Sequence, residues 1–166
     1  MSHSVVELDK RYSDRSLTPT QAVEECLEAI EELDPTLGAW QEVYAEEARA
    51  AARIADAEVS SNRRKGPFHG VPFALKDIVE VEGKRTAAGC FEWKDRQSTM
   101  TAEVAQRLID AGGILLGKTK TVEFAMGGWG TNQRMGTPHN PWDKNVARTP
   151  GGSSSGSGVP VASGMV

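Results

Sequence analysis

Glycine placement constrains this chain more than any other feature. Of 17 glycines in 166 residues, Gly38 alone precedes Lys65 and the other 16 follow it. Charge divides at the same point. Residues 1–65 carry 8 Lys/Arg against 14 Asp/Glu, a net of −6, and residues 66–166 carry 11 against 9, a net of +2, which together give −4. A nearly glycine-free acidic stretch suits helices, whereas a glycine-dense one suits strands, turns and the close backbone approaches at which binding chemistry sits. Ser60-Ser-Asn-Arg-Arg-Lys-Gly-Pro67 between them reads as an exposed loop joining two layers rather than two domains.

Composition removes several classes. With 39% hydrophobic and 25% charged residues the profile is globular, which excludes a disordered, collagenous or coiled-coil chain. No apolar run approaches the roughly eighteen residues of a membrane span, and Met1–Lys10 lacks the basic-then-apolar pattern of a secretory leader, so neither a membrane nor secretion is expected. The net negative charge argues against nucleic-acid binding by phosphate neutralisation. Cys26 and Cys90 lie far apart with no C-x-x-C spacing, which argues against a disulfide framework or a zinc site and favours a reducing cytoplasm.

Thr18 with Gln21 forms a capping box and Pro19 takes the first helical position, so a helix is predicted to begin there. Val23, Cys26, Leu27, Ile30 and Leu33 recur at helical spacing, and Asp34-Pro35 is expected to end the run. A second, alanine-rich helix is predicted over Ala45–Glu58. Val71–Leu75 reads as a buried strand, with Ile78–Val81 as its continuation. Ala102–Ala111 reads as a third helix with Val104, Ala105, Leu108 and Ile109 on one face, stopped by Gly112-Gly113. Ile114–Leu116 then reads as a strand, and a short helix is expected around Val122–Ala125. Alternating helices and apolar strands predict an α/β sheet covered by helices.

Two short motifs match well-known expressions and fail on context. Gly112-Gly-Ile-Leu-Leu-Gly-Lys-Thr119 fits the phosphate-binding loop, but a helix rather than a strand precedes it and Ile-Leu-Leu wants burial. Gly152-Ser-Ser-Ser-Gly156 fits the nucleophile elbow of α/β-hydrolases, which needs an acid and then a histidine downstream. None of the twelve residues after Ser154 is Asp, Glu or His. His69 and His139, upstream, read as surface or loop histidines. What remains is a combination: Lys76 at the end of an apolar strand, where burial can act on its amine, and the Thr149–Gly158 segment, whose small residues let backbone approach a substrate. Taken singly, the first reads as a snorkelling lysine and the second as a flexible linker.

Together these residues resemble the amidase signature family of serine amidohydrolases. The similarity runs from about Thr18 to the end and rests on Gly70-Val-Pro-Phe-Ala-Leu-Lys-Asp77, Gly117-Lys-Thr-Lys-Thr-Val-Glu-Phe-Ala-Met126, Gly127-Gly-Trp-Gly-Thr-Asn132, Asn140-Pro-Trp142 and Pro150-Gly-Gly-Ser-Ser-Ser-Gly156. The resemblance implies an α/β amidase signature fold, a mixed sheet with helices on both faces, present as its N-terminal part. It implies a Ser–cis-Ser–Lys triad in which Lys76 is the lysine and Ser153, behind a cis Gly152–Ser153 peptide, is the bridging serine. Met126, Gly127 and Gly128 match positions beside the substrate, Ser154 supports the same turn, and Asp77 orients the loop. No cofactor and no metal is implied. The expected partners are a small-molecule amide and the remainder of an amidase chain, with no direct nucleic-acid or membrane partner; homodimers occur among relatives. For Lys76 to act as a base its pKa must fall from about 10.4 toward about 7, a change of about 4 kcal/mol.

In that family the nucleophilic serine and the oxyanion loop follow the bridging serine by about two dozen residues, beyond Val166. Residues 1–166 are therefore expected to be the N-terminal fragment of a single amidase domain, a helical layer (1–65) and a strand and loop core (66–166), with no turnover alone. The leading expectation is hydrolysis of a carboxamide. The A subunit of a tRNA-dependent amidotransferase is the alternative inside the family, although Gly127–Asn132 looks more like stand-alone amidases. A non-catalytic truncated binding or assembly protein is the alternative outside it. Pro160 stands where the family continues a helix of small residues, so that helix is expected to start near Gly158 or to kink.

Overall fold

The acidic N-terminal stretch supplies three helices and an edge strand. The computed structural model describes residues 3–143 and 145–166. Its first helix, α1 (Val5–Ser13), is absent from the sequence-based expectation. Its start is nevertheless written in the chain, because the Ser4 hydroxyl accepts from the Glu7 amide and the Glu7 carboxylate accepts from the Ser4 amide. Helix α2 (Pro19–Leu37) begins at Thr18 with the expected capping box. It does not end at Asp34-Pro35. Pro35 falls in the last turn, and the helix closes only at Gly38, which is left-handed at φ 59°. The Asp34 carboxylate then accepts from the amides of Ala39 (2.6 Å) and Trp40 (3.2 Å), turning the chain into strand β1 (Trp40–Val43). Helix α3 (Ala45–Ser60) follows and presents Ala48, Ala52 and Ala55 as a buried stripe.

The glycine-rich remainder completes the sheet. Strand β2 (Pro72–Lys76), helix α4 (Glu103–Asp110), strand β3 (Ile114–Thr119) and helix α5 (Ser155–Ser163) are its regular elements, with single 3₁₀ turns at Phe91–Trp93 and Glu123–Ala125. The strand order is β1-β3-β2, antiparallel between β1 and β3 and parallel between β2 and β3, so the sheet is mixed. Alternation along the strands separates two cores. Ala74, Ile114 and Leu116 pack with Val23, Leu27, Ile30, Ala52 and Val159 from α2, α3 and α5. Phe73, Leu75 and Leu115 face the other way, onto Ala105, Leu108 and Ile109 of α4. Helices thus cover both faces. A satellite cluster of Leu8, Tyr12, Leu17, Ala22 and Val71 anchors α1 where the chain enters β2.

Three local expectations are corrected. Ile78–Val81 does not continue β2: the amides of Ile78 and Val79 both donate to the Lys76 carbonyl, at 2.8 and 2.9 Å, and the chain turns off the sheet. Val104, in the first turn of α4, is 54% exposed and stands outside the cluster in which Ala105, Leu108 and Ile109 pack on the sheet. Helix α5 starts at Ser155 rather than near Gly158, and carries Pro160 inside it. Its start is set by contact. The Gly156 amide donates to the Lys120 carbonyl at 2.9 Å, and a Cβ there would overlap backbone atoms of Ala39 and Lys120. Among the described residues no helix is long and apolar enough to cross a membrane.

Gly156 is consequently the position where one added methyl does most harm. Gly156→Ala is expected to lower stability by about 2–3 kcal/mol through overpacking against backbone. Thermal unfolding followed by circular dichroism should register this as a fall in Tm of about 5–10 °C; an unchanged Tm would show that α5 can slide away from β3.

Candidate active site

Lys76 is the last residue of β2, and its side chain leaves the sheet on the face covered by α5. Its Nζ donates to the Ser153 Oγ at 2.7 Å, a contact between groups 77 positions apart. The Gly152–Ser153 peptide is cis. The Ser153 carbonyl is held by two donors, the Thr121 hydroxyl at 2.9 Å and the Val122 amide at 3.1 Å, both from the segment leaving β3. Glycines on each side permit this approach. A Cβ on Gly152 would lie 2.7 Å from the Gly130 nitrogen and 2.9 Å from the Gly127 carbonyl oxygen. Lys76 is partly buried, and burial pushes its amine below the ordinary lysine value.

The other residues singled out from sequence sit around this pair to different degrees. Ser154 stands at the N-cap position of α5, without a capping hydrogen bond from its side chain, and is exposed; its carbonyl accepts from the Ser157 amide. Gly127 contributes its carbonyl to the wall beside Gly152, whereas Met126 (83% exposed) and Gly128 make no hydrogen bond to Lys76 or Ser153 among the described residues. Asp77 is buried and binds structure on three sides. Its carboxylate accepts from Lys118 Nζ (3.1 Å) and the Ala87 amide (3.0 Å), and its carbonyl accepts from the Ala88 amide (2.9 Å). His69 is not a surface residue: its ring is 1% exposed, packed against Gly112, with Nε2 3.5 Å from a Glu58 carboxylate oxygen. His139 is exposed and its amide donates to the Leu37 carbonyl. Among the described residues, neither histidine hydrogen-bonds a serine.

Sequence reasoning missed the residues that hold the pair in place. Thr121 grips Ser153, and Asn132 Nδ2 donates to the carbonyls of Gly89 (2.7 Å) and Thr121 (3.2 Å), tying three loops together. Asn132 stood at the end of a family motif without a role, and Thr121 alternates with Thr119 at the strand end, a period-two signal that could have found it. Lys118 belonged to the phosphate-loop match. It is instead a fully buried strand residue, so that loop does not exist. Elsewhere, Cys90, Glu92 and Glu123 place ligand atoms within 4.8 Å of one another, but the Arg134 guanidinium is bonded to Glu92 and already balances its charge. A cavity of about 590 Å³ is lined by Glu32, Leu37, His139, Asn145 and Ser163; neither Lys76 nor Ser153 borders it.

Comparison with known proteins identifies the family and the fold. The model of the amidase family matches residues 21–166, and the chain belongs to that family, the amidase signature family. It is 41% identical over 152 residues to the A subunit of glutamyl-tRNA(Gln) amidotransferase from Anaeromyxobacter sp. (strain K), covering 92% of this chain and 30% of that protein. The native peptide amidase of Stenotrophomonas maltophilia superimposes with a TM-score of 0.88 at 33% identity, covering 98% of this chain and 34% of the other. A chain from a vestigial protein complex described as revealing the origins of an s-triazine catabolic enzyme superimposes with a TM-score of 0.92 at 32% identity, over 99% of this chain and 36% of that one. The chain thus spans about a third of the length of the proteins it matches.

Asn132→Ala removes the two bonds donated by Nδ2 and the two that Oδ1 accepts from the Arg134 and Met135 amides, and leaves the Gly89 and Thr121 carbonyls short of a donor. It is expected to cost about 2 kcal/mol in urea unfolding and to speed amide exchange at Val122, whose partner is the Ser153 carbonyl. Unaltered exchange there would mean that the clamp on Ser153 does not run through Asn132.

Proposed function

We propose that residues 1–166 supply the proton-handling half of an amide-hydrolysing site. Lys76 is the base, Ser153 relays the proton, and the attacking serine with its oxyanion donors comes from an Asp-x-Gly-Gly-Ser-type segment outside these residues. The 2.7 Å hydrogen bond from Lys76 to Ser153 supports this reading most. A serine hydroxyl is a poor nucleophile until a neighbouring base takes its proton, and lysine serves only when neutral. Partial burial of Lys76 works in that direction, because desolvation disfavours the ammonium. The proton then passes from nucleophile to Ser153 to Lys76, and returns by the same path to the departing amine. The backbone at Met126, Gly127 and Gly128, with Ser154, borders the small-molecule amide. No cofactor or metal has a part in these steps. We take residues 1–65 as the helical layer and 66–166 as the strand and loop core of the N-terminal portion of one amidase domain, acting in the cytoplasm.

A second reading, the A subunit of a tRNA-dependent amidotransferase, is favoured by the 41% identity to one such protein, against 33% to the peptide amidase. The two share one step, cleavage of a carboxamide C–N bond with release of ammonia, and differ in where the ammonia goes. Glutaminase activity that appears only with added partner subunits would select the second.

The test is ammonia release from a panel of carboxamides by protein expressed from the complete reading frame. Lys76→Ala and Ser153→Ala are expected to lower kcat/KM by about 10²–10⁴-fold, with the fold retained by circular dichroism. The neutral amine is the active form, so kcat/KM should rise with pH along a limb centred below the ordinary lysine value of 10.5. Residues 1–166 alone should give no turnover. Equal rates for wild type and Lys76→Ala would end the proposal, as would turnover by 1–166 alone.

A further inference from the structure

Two lysines lie one register step apart in neighbouring strands, and the sheet treats them in opposite ways. In the parallel pairing of β2 with β3, Leu75 stands beside Lys118 and Lys76 beside Thr119. Directly paired residues share a face, and the register shift opposite Phe73–Ala74, between Leu115 and Gly117, interrupts the alternation of β3 so that Lys118 need not follow Leu116. Lys118 therefore projects with Leu75 toward the α4 side. Lys76 projects with Thr119, whose hydroxyl lies 2.9 Å from the Ser157 hydroxyl of α5. Asp77, next to Lys76 in sequence, follows the first lysine rather than the second. Its carboxylate meets Lys118 Nζ at 3.1 Å, and the same ammonium donates to the Thr86 hydroxyl at 3.0 Å and the Arg85 carbonyl at 3.3 Å. Both members are nearly inaccessible, at 0% and 2% exposure.

We propose that Lys118 is a positioning residue which binds the Asp77 carboxylate on one face of the sheet, so that Lys76 on the other face has a hydroxyl and, among the described residues, no anion to hold its proton. This rests on the reading of Lys76 as the base. A carboxylate adjoining a lysine ordinarily stabilises the ammonium, and an Asp directly after the base would oppose its task. Pairing that carboxylate with Lys118 yields a unit of zero net charge, wherever the shared proton resides. Burial drives both members toward their neutral forms, raising Asp77 and lowering Lys118, and their mutual attraction opposes it. Among the other charged groups packed around this end of the sheet, Glu42 of β1 binds Arg85 at 2.9 Å, Glu123 of the 3₁₀ turn lies near Cys90 and Glu92, and the Lys120 amine lies near Gly38 and Gly136. The helix that follows Ser153, α5, has no charged residue between Ser155 and Ser163.

The experiment reads the proton directly and needs no turnover, so its failure is distinguishable from failure of the amidase reading. The ¹³Cε resonance of Lys76, assigned through Lys76→Arg, is titrated in the wild-type chain and in Lys118→Met, Asp77→Asn and the double variant. The expected result is a pKa about one unit higher in Lys118→Met, as an unpaired neighbouring carboxylate produces. Asp77→Asn, which leaves the Lys118 charge unmatched, should lower it, and the double variant should return it to the wild-type value. Should Lys118→Met fail to give a folded amide spectrum, Asp77→Asn and the double variant decide the matter. A Lys76 titration unmoved in every folded variant would overturn the proposal, and so would a shift that the double variant does not reverse.

Discussion

The attachment of the Ser153 turn to the exit of β3 is the interaction on which the site depends. Lys76 ends one strand and Ser153 precedes a helix 77 positions later, and no local propensity brings them together. Between them stands the segment Thr119–Val122. Thr119 pairs with Lys76 in the parallel ladder, the Lys120 carbonyl accepts the Gly156 amide, and Thr121 and Val122 both donate to the Ser153 carbonyl. Four consecutive residues thus fix Lys76 from one side and Ser153 from the other. Their backbone groups are engaged by these contacts, so the geometry is held by hydrogen bonds in a largely water-free environment, where leaving any one unmade is costly.

Small residues are what allow this arrangement. A helix packed through ordinary side chains sits about 8–10 Å from its neighbour, too far for backbone contact. Helix α5 meets Lys120 through Gly156, and the turn before it meets the 127–130 loop through Gly152, whose missing Cβ leaves room for the Gly130 nitrogen. Gly89, Gly117 and Gly130 belong to the same group: with Gly152 and Gly156 they mark where backbone touches backbone in the glycine-rich region after Lys65.

This explains what the sequence disclosed and what it withheld. The apolar runs of β2 and β3, the alanine stripe of α3 and the capping box of α2 are local signals, and each element lies close to where it was expected. Lys76 and Ser153 were identified through a resemblance rather than through spacing, since their contact is a product of topology. Asn132 and Thr121 act by binding carbonyls of other loops, and nothing in the pattern of a single chain announces the partner of a side-chain amide. Pro35 and Ile78–Val81 misled for a related reason. The first is absorbed in a last turn whose real terminator, Gly38, lies three residues on. The second is apolar because Val81 fills the core beside α4, not because it extends the sheet.

The two lysines show how far residue type underdetermines chemistry. Lys118 sits in a letter-perfect phosphate-loop expression, yet lies fully buried in a strand with Asp77 as its partner. Lys76 sits in a run whose isolated reading is a snorkelling side chain, yet its amine meets a hydroxyl on the face toward α5. One pleat separates these fates. Shifting β2 by a single residue against β3 would exchange the faces, placing Lys76 toward α4 and Phe73 and Leu75 toward α5. The apolar residues that fix the register, Phe73 and Leu75 on one side and Ala74 on the other, therefore also determine which amine faces the serine. Packing in the core and the choice of which amine faces Ser153 are the same structural decision, made by the alternation of five residues.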